Sequence, residues 1–356
     1  MRIHFKRLSL TLHKGNFRSF LKGGSLGTSL TLQELCILEI ATKLQEDVSD
    51  FSFQTSGSTG APKKITLTKD QLIQSAKTTL SYFSIKSDAR FLLCIHPQFI
   101  GGTMQIVRAF VSQGRLDVLA PEKILDLDHT RYDLVSMVPI QLNKLYKYLK
   151  LHLNDFKYLL IGGTAIDPKL EQKIVSDNTI NSKIYGTYGM TETASHIAVR
   201  YFGSTLYEKI GPLRISVNKN SCLKIKGAIT KNKWMQTKDI VELIDENTFK
   251  WLGRKDFVIN SGGFKIHPEK IEHELKKQTD RALMITFLPD EILGQKVILL
   301  IEGERLPTLD FNLLHIYEKP KKAFNIKKFT YSKNGKIDRV STHKIFKKKY
   351  PNTFLV

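Results

Sequence analysis

Apolar residues along this chain recur in short bursts separated by polar or helically spaced stretches. The runs at 91–95, 116–119, 134–138 and 158–161 are rich in Leu, Val, Ile and Phe, and each is followed by a helical or turn-rich segment. That rhythm predicts buried strands alternating with crossover helices, hence an α/β protein with a largely parallel sheet. Leu32, Leu35, Cys36, Ile40 and Leu44 fall on one helical face, and Leu72, Ile73, Ala76, Leu80 and Phe83 on another. The second helix is preceded by Thr68 with Gln71 three residues on, a capping pair. Past Asp256 the texture changes. Pro268 opens a helix through Ile271 and Leu275, and 282–288 and 296–301 read as two strands joined through Pro289-Asp290 and Gly294. The pattern predicts a large N-terminal domain of mixed and parallel sheets with helices over 1–254, and a small α+β C-terminal domain over 257–356.

One polar stretch interrupts this pattern with candidate chemistry. Phe53-Gln54-Thr55-Ser56-Gly57-Ser58-Thr59-Gly60-Ala61-Pro62-Lys63-Lys64 combines glycines, hydroxyl side chains and a lysine. Glycines let backbone N–H groups converge on an anion, and Ser, Thr and Lys add donors. A flexible linker has a similar composition. The flanks favour a phosphate cradle: Phe51-Ser52-Phe53 alternates like the end of a strand, and the capped helix follows. Neither G-x-x-x-x-G-K-[ST] nor G-x-G-x-x-G occurs.

Composition narrows the partners. Among 356 residues, 55 Lys and Arg oppose 34 Asp and Glu, a net charge of +21 that favours anionic ligands. Residues 319–349 hold twelve Lys or Arg against the single acid Asp338, which reads as a solvated basic surface rather than a nucleic-acid site. Cys36, Cys94 and Cys222 are too sparse for a disulfide framework, and no H-E-x-x-H appears among the ten histidines. Residues 1–20 are basic and broken by polar residues, unlike a signal peptide, and no apolar run reaches the roughly 20 residues that span a bilayer. A cytoplasmic protein with no integral membrane association is expected.

In parallel sheets ligands gather at the carboxyl ends of strands. Gly162-Gly163-Thr164, Tyr185-Gly186-Thr187-Tyr188-Gly189-Met190-Thr191-Glu192-Thr193 and Trp234-Met235-Gln236-Thr237-Lys238-Asp239 are turns placed where that rule puts chemistry. Further on come Gly253-Arg254-Lys255-Asp256, Ser261-Gly262-Gly263-Phe264-Lys265-Ile266 and Asn334-Gly335-Lys336-Ile337-Asp338-Arg339. In this order and spacing, the series from Thr55 to Arg339 resembles the ATP-dependent adenylate-forming superfamily of acyl-CoA synthetases, adenylation domains and luciferases.

The resemblance implies a division of labour. Thr55, Ser56, Gly57, Ser58, Thr59, Gly60 and Lys63 would hold the β and γ phosphates of ATP. Gly162, Gly163 and Thr164, with Tyr188 and Gly189, would frame the adenine. Thr191 would donate to the α-phosphate and Glu192 would ligate Mg2+, a hard cation. Asp239 would accept the ribose hydroxyls, supported by Arg254. Lys336, on a mobile C-terminal domain, would bridge the attacking carboxylate and the α-phosphate. Asp256 matches the hinge about which that domain turns between adenylation and thiol transfer. Within the superfamily, 136–142, 160–166 and 188–198 are similar to the o-succinylbenzoate–CoA ligases of menaquinone biosynthesis. That likeness implies CoA as co-substrate, Arg108 as a carboxylate-binding residue, and Ser136 and His196 as further polar contacts to the acid.

The sequence also departs from the family pattern. Lys64 stands for the usual glycine after Pro-Lys, and Lys238 for the glycine before the ribose aspartate. Thr330 and Ser332 replace the proline and threonine ahead of Gly335-Lys336. The phosphate stretch begins near residue 55, so one N-terminal subdomain is expected to be shortened. Activation of another aryl or acyl acid, loading of a carrier protein, and a non-catalytic basic protein binding nucleic acid or a membrane surface remain the alternatives.

Overall fold

The computed structural model describes residues 1–5, 8–11, 30–46, 50–55, 63–331 and 336–350. Strands Arg2–Phe5, Arg115–Val118, Arg90–Leu93, Tyr132–Met137, Phe156–Ile161 and Lys183–Met190 lie side by side, each parallel to its neighbours. Leu8–Thr11 closes that edge antiparallel to Arg2–Phe5. Beyond Lys183–Met190 the same sheet turns antiparallel, through Ser195–Tyr201, Leu206–Lys209, Thr248–Arg254, Met235–Leu243, Cys222–Lys226 and Arg214–Val217. The four predicted strands thus lie within the six-stranded parallel part of what is, among the described residues, a thirteen-stranded mixed sheet.

The apolar bursts are buried on both faces because successive side chains of a strand point to opposite sides. Phe91, Leu93, Leu116, Leu134 and Leu160 pack beneath helices Leu32–Gln45, Lys69–Tyr82 and Ile100–Val111. Leu92, Val135, Met137, Leu159 and Ile161 face helices Pro139–Tyr148 and Pro168–Val175. Each such fully buried side chain contributes about 1.5–3 kcal/mol. Helix Leu32–Gln45 buries Ile37, Leu38, Ile40, Ala41 and Leu44, whereas Leu32 and Leu35 are exposed. Its core stripe is therefore rotated from the predicted face.

Two local predictions meet different outcomes. The Thr68/Gln71 capping box forms in both directions and starts helix Lys69–Tyr82. The stretch before it is not a strand–loop–helix unit. Asp50–Thr55 pairs antiparallel with a second strand, Lys63–Thr68, in which Ile65 and Leu67 alternate inward. The two ends of the phosphate-binding candidate, Thr55 and Lys63, are thus paired across antiparallel strands.

After Arg254 the chain leaves the large sheet through the short turn Lys255–Phe257. It then builds a second sheet with Gly294–Glu302 at its centre. Leu283–Asp290 and Ile259–Ser261 pair with that strand antiparallel, Lys322–Ile326 pairs with it in parallel, and Phe264–Ile266 pairs with Ile259–Ser261. The expected hairpin is Leu283–Asp290 with Gly294–Glu302. Helix Pro268–Lys276 covers one face and Arg339–Lys349 the other. Lys276 to Asp167 (3.5 Å) and Lys169 to Asp280 (3.0 Å) tie this unit to helix Pro168–Val175 and its N-cap. Among the described residues, no helix is long and apolar enough to cross a membrane.

Candidate active site

The strand where the large sheet changes from parallel to antiparallel ends in a tight turn. Thr191–Thr193 forms one 3-10 turn, and the chain doubles back through Ala194 and Ser195, both at positive φ. Thr193 is fully buried; its hydroxyl accepts from the Met190 N–H (3.0 Å) and lies 2.8 Å from the Ser195 carbonyl, to which it donates. The turn leaves Thr191 and Glu192 half-buried, and among the described residues no cation or donor engages the Glu192 carboxylate. An uncommitted carboxylate held by a rigid turn suits a hard divalent cation.

Close neighbours, a backbone carbonyl in one case and a threonine hydroxyl in the other, leave little room for a side chain at two of the predicted glycines. A Cβ on Gly189 would lie 2.1 Å from the Ser195 carbonyl, and one on Gly162 would lie 2.2 Å from Thr187 Oγ1. Gly162, Gly163 and Thr164 follow strand Phe156–Ile161 at its carboxyl end, where the parallel-sheet rule places a ligand.

Asp239 is the centre of a second group. It is buried on strand Met235–Leu243 opposite Arg254 of Thr248–Arg254. Tyr188 donates to its Oδ2 (2.9 Å), Trp251 Nε1 donates to its Oδ1 (3.4 Å), and the Arg254 guanidinium stands 3.8 Å away. Burial, then the Asp239 charge, pushes the Tyr188 hydroxyl well above the usual phenol range, so it stays a donor. The Tyr188 ring packs edge-on against Tyr207 and Phe249. Predicted only as part of the adenine frame, Tyr188 also orients Asp239.

Lys336 and Asp256 join this group from the small domain and the connecting turn. The Lys336 residue as a whole is exposed, yet crowding at its ammonium, then the Arg254 charge, lowers its pKa, opposed by Asp239. Its charge therefore acts beside the Asp239–Arg254 pair. Asp256 accepts from Arg254 (3.3 Å) and pairs with Lys238 (3.2 Å). The lysine that stands where the family has glycine is thus an ion-pair partner of the predicted hinge.

The third group lies inside the domain. Arg108, on helix Ile100–Val111, is 1% exposed. It donates to Gln105 Oε1 (3.1 Å), Ser136 Oγ (3.3 Å) and His196 Nδ1 (3.4 Å). Among the described residues no carboxylate pairs with it, and its buried Nε has no partner. Burial lowers its pKa to about 9. His196 is held well below the usual imidazole range by burial and then by the Arg108 charge, so it is neutral. Its Nδ1 accepts from Arg108, which leaves Nε2–H to donate to Thr79 Oγ1 (3.2 Å). The Thr79 hydroxyl donates in turn to the Ser75 carbonyl (3.1 Å), and Ser75 Oγ donates to the Ala194 carbonyl (2.7 Å). A run of hydrogen bonds that passes through the Ser75 main chain thereby links Arg108 to Ala194, the residue that ends the Thr191–Thr193 turn.

Of the predicted residues, the structure brings Arg108, Ser136 and His196 together, and separately Tyr188, Asp239, Arg254, Asp256 and Lys336. Ser56, Gly57, Ser58, Thr59 and Gly60 lie outside the described residues, as does the side chain of Thr55. Lys63 is exposed at the hairpin end. Gln105, Thr79 and Trp251 were not predicted. Gln105 had a readable signal, its spacing of three from Arg108 on one helix. Thr79 and Trp251 reach their partners through tertiary contacts that carry none.

Comparison with known proteins places the chain in a family. The AMP-binding enzyme family matches residues 42–222. The 2-succinylbenzoate–CoA ligase of Haemophilus influenzae is 26% identical over 273 residues, covering 70% of this chain; the chain spans 58% of that ligase's length. The crystal structure of an acyl-CoA synthetase (AMP-forming)/AMP-acid ligase II-like protein from Dyadobacter fermentans superposes with a TM-score of 0.61 and 31% identity, over 90% of this chain and 96% of that one. The o-succinylbenzoate coenzyme A synthetase from Bacillus subtilis, solved with ATP and a magnesium ion, shares the fold at a TM-score of 0.72 and 19% identity, over 82% of this chain and 69% of that one. With a mixed sheet, a small second sheet domain and a family match over half its length, the chain belongs to the AMP-binding enzymes.

Proposed function

We propose that this chain is an ATP-dependent acid–CoA ligase that activates o-succinylbenzoate as an acyl adenylate and passes the acyl group to CoA, a cytoplasmic step of menaquinone biosynthesis. Arg108 carries the choice of acid. A buried guanidinium among neutral groups is an expensive arrangement unless an anion completes it. Unlike a simple fatty or aryl acid, o-succinylbenzoate has a second carboxylate to spare. The aromatic carboxylate would take Arg108 in a charge-assisted contact, with Ser136 and neutral His196 fixing the guanidinium plane.

The remaining groups then have tasks. Asp239, oriented by Tyr188 and Trp251, accepts the ribose hydroxyls, and Arg254 supports it. Gly162, Gly163, Thr164 and Gly189 border the adenine, while the 55–63 stretch holds the phosphates that leave. Glu192 would hold Mg2+, which when bound offsets phosphate charge. The succinyl carboxylate attacks the α-phosphorus and pyrophosphate departs. Lys336 places positive charge where negative charge accumulates, and Thr191 donates to the α-phosphate. The thiol of CoA then attacks the acyl carbon, and AMP leaves. The N-terminal domain 1–254 and the C-terminal domain 257–356 turn about Asp256 between the two steps.

ATP–pyrophosphate exchange with o-succinylbenzoate, benzoate and a fatty acid tests this reading. Exchange is expected with o-succinylbenzoate and at most weakly with the others. Efficient exchange with a monocarboxylic acid and none with o-succinylbenzoate would overturn it.

A further inference from the structure

At the amino ends of the parallel strands, away from the glycine turn at 162–164, two imidazoles and one carboxylate converge. His129 lies in the connection ahead of strand Tyr132–Met137, and His152 and Asp155 lie in the 3-10 turn Lys150–Asp155 ahead of the neighbouring strand Phe156–Ile161. The two imidazole rings stack with centroids 4.3 Å apart and planes 13° from parallel. Asp155 Oδ2 is 2.9 Å from His152 Nδ1 and 3.5 Å from His129 Nδ1, and the three ligand atoms all lie within 4.8 Å of one another.

We propose that His129, His152 and Asp155 form a binding site for a borderline divalent cation of the zinc type. The two Asp155 spacings suit such an ion, since bonds of about 2.1 Å put neighbouring ligand atoms about 2.9–3.5 Å apart in octahedral or tetrahedral geometry, and the exposed His129 ring has to tilt out of the stack for both nitrogen lone pairs to meet the ion. Two imidazole nitrogens with one carboxylate oxygen are ligands for Zn2+, Co2+ or Ni2+ rather than for Ca2+ or Mg2+, which prefer all-oxygen shells. Two of the three ligands are held within the fold: His152 and Asp155 are largely buried, with side chains 11% and 15% exposed, whereas His129 is 81% exposed and approaches from the solvent side. Lys150, the cation of the same turn, is committed to Asp177 (2.9 Å) and does not compete for Asp155. Binding replaces the His152–Asp155 hydrogen bond; the His152 proton moves to Nε2 and Nδ1 becomes the ligand.

The ion would cross-link two connections that enter adjacent parallel strands, paired at Tyr132 and Phe156. Its effect is on stability, because the ribose and carboxylate groups lie elsewhere. A ligand that binds only the folded state stabilises it by mass action.

The test uses the full chain without an affinity tag, freed of metal, titrated with Zn2+ against a chromophoric competitor at pH 7.5, with Co2+ as a spectroscopic probe. One Zn2+ per chain is expected at micromolar affinity, with a raised Tm. His129→Ala removes an exposed side chain and spares the fold; it should weaken binding at least about tenfold and abolish the Tm gain. Asp155→Asn should do the same, and both variants should retain wild-type adenylation. His315→Ala, an exposed histidine outside the cluster, should bind Zn2+ like the wild type. No saturable binding below about 100 μM, roughly −5.5 kcal/mol, or binding undiminished in both cluster variants, would overturn the proposal.

Discussion

The Lys238 ammonium stands 3.2 Å from the Asp256 carboxylate and so ties the strand that carries Asp239 to the turn where the chain leaves the large sheet. Arg254 holds the same carboxylate at 3.3 Å, and Glu269 of the small domain accepts the Arg254 backbone N–H (3.3 Å). These contacts coincide with a posture in which Lys336 feels the charges of Asp239 and Arg254. The proposed rotation of the small domain about Asp256 would have to loosen them.

Lys238→Gly restores the family residue and removes one of the two cations on Asp256. The pair is partly exposed, so about 0.2–1 kcal/mol is at stake. Adenylation should slow by no more than about fivefold, CoA transfer should not slow, and the salt dependence of adenylation should shrink. ATP–pyrophosphate exchange and acyl transfer, each measured at low and high salt, check this. An unchanged salt profile would mean that Lys238 does not bias the posture.

Lys336→Ala should remove adenylation while sparing transfer from a supplied acyl adenylate. Loss of one preorganised charge costs about 3–4 kcal/mol, or 10²–10³ in rate. The lowered pKa of Lys336 adds a pH signature: adenylation should fall as pH rises toward, but below, the ordinary lysine range. Equal damage to both half-reactions would remove Lys336 from its assigned role.

Arg108→Ala should raise the KM for o-succinylbenzoate by about 30-fold or more and leave the KM for ATP within about threefold, because one buried charge contact is worth about 2–5 kcal/mol. Arg108→Lys should not restore it, since an ammonium cannot donate to Gln105, Ser136 and His196 in the guanidinium geometry. Parallel loss for acid and ATP would make Arg108 a purely structural residue.

Tyr188→Phe deletes the hydroxyl that donates to Asp239 and keeps the ring between Tyr207 and Phe249. A single hydrogen bond to a charged group is worth about 1.5–3 kcal/mol. The KM for ATP should rise about 10- to 100-fold with little change for the acid. A selective effect on the acid would contradict the role of Asp239 at the ribose.

What could be read from sequence was local or came in ordered motifs. The Thr68/Gln71 cap depends on residues three apart and forms as expected. The strand ahead of it was missed because Ile65 and Leu67 are a two-residue signal, and their pairing with Phe53 and Phe51 was needed to reveal the hairpin. The antiparallel half of the sheet was equally quiet: its strands are held by partners as far apart as Leu206 and Lys250. Arg108 stood out by resemblance, but its burial among neutral groups depends on Ser136 and His196, 28 and 88 residues away. The unusual Lys238 could be noticed as a departure, and only the pairing of strands Met235–Leu243 and Thr248–Arg254 brings it to Asp256.

His196 makes stability depend on pH in a direction fixed by its burial. Its folded pKa lies well below the unfolded value, so the unfolded chain binds the proton that the folded chain refuses. The stabilisation is therefore complete above the unfolded pKa of about 6.5 and is lost as pH falls below it, by up to about 1.4 kcal/mol per pH unit. His196→Gln cannot take up that proton, and its amide can still accept from Arg108 or donate to Thr79. The variant should be less stable than the wild type at pH 7.5, because the fit of the imidazole is lost, and the gap should narrow by about 1 kcal/mol at pH 5.5. Urea-unfolding midpoints of both proteins at the two pH values measure the difference. A gap that stays constant would show that His196 keeps the same protonation state folded and unfolded.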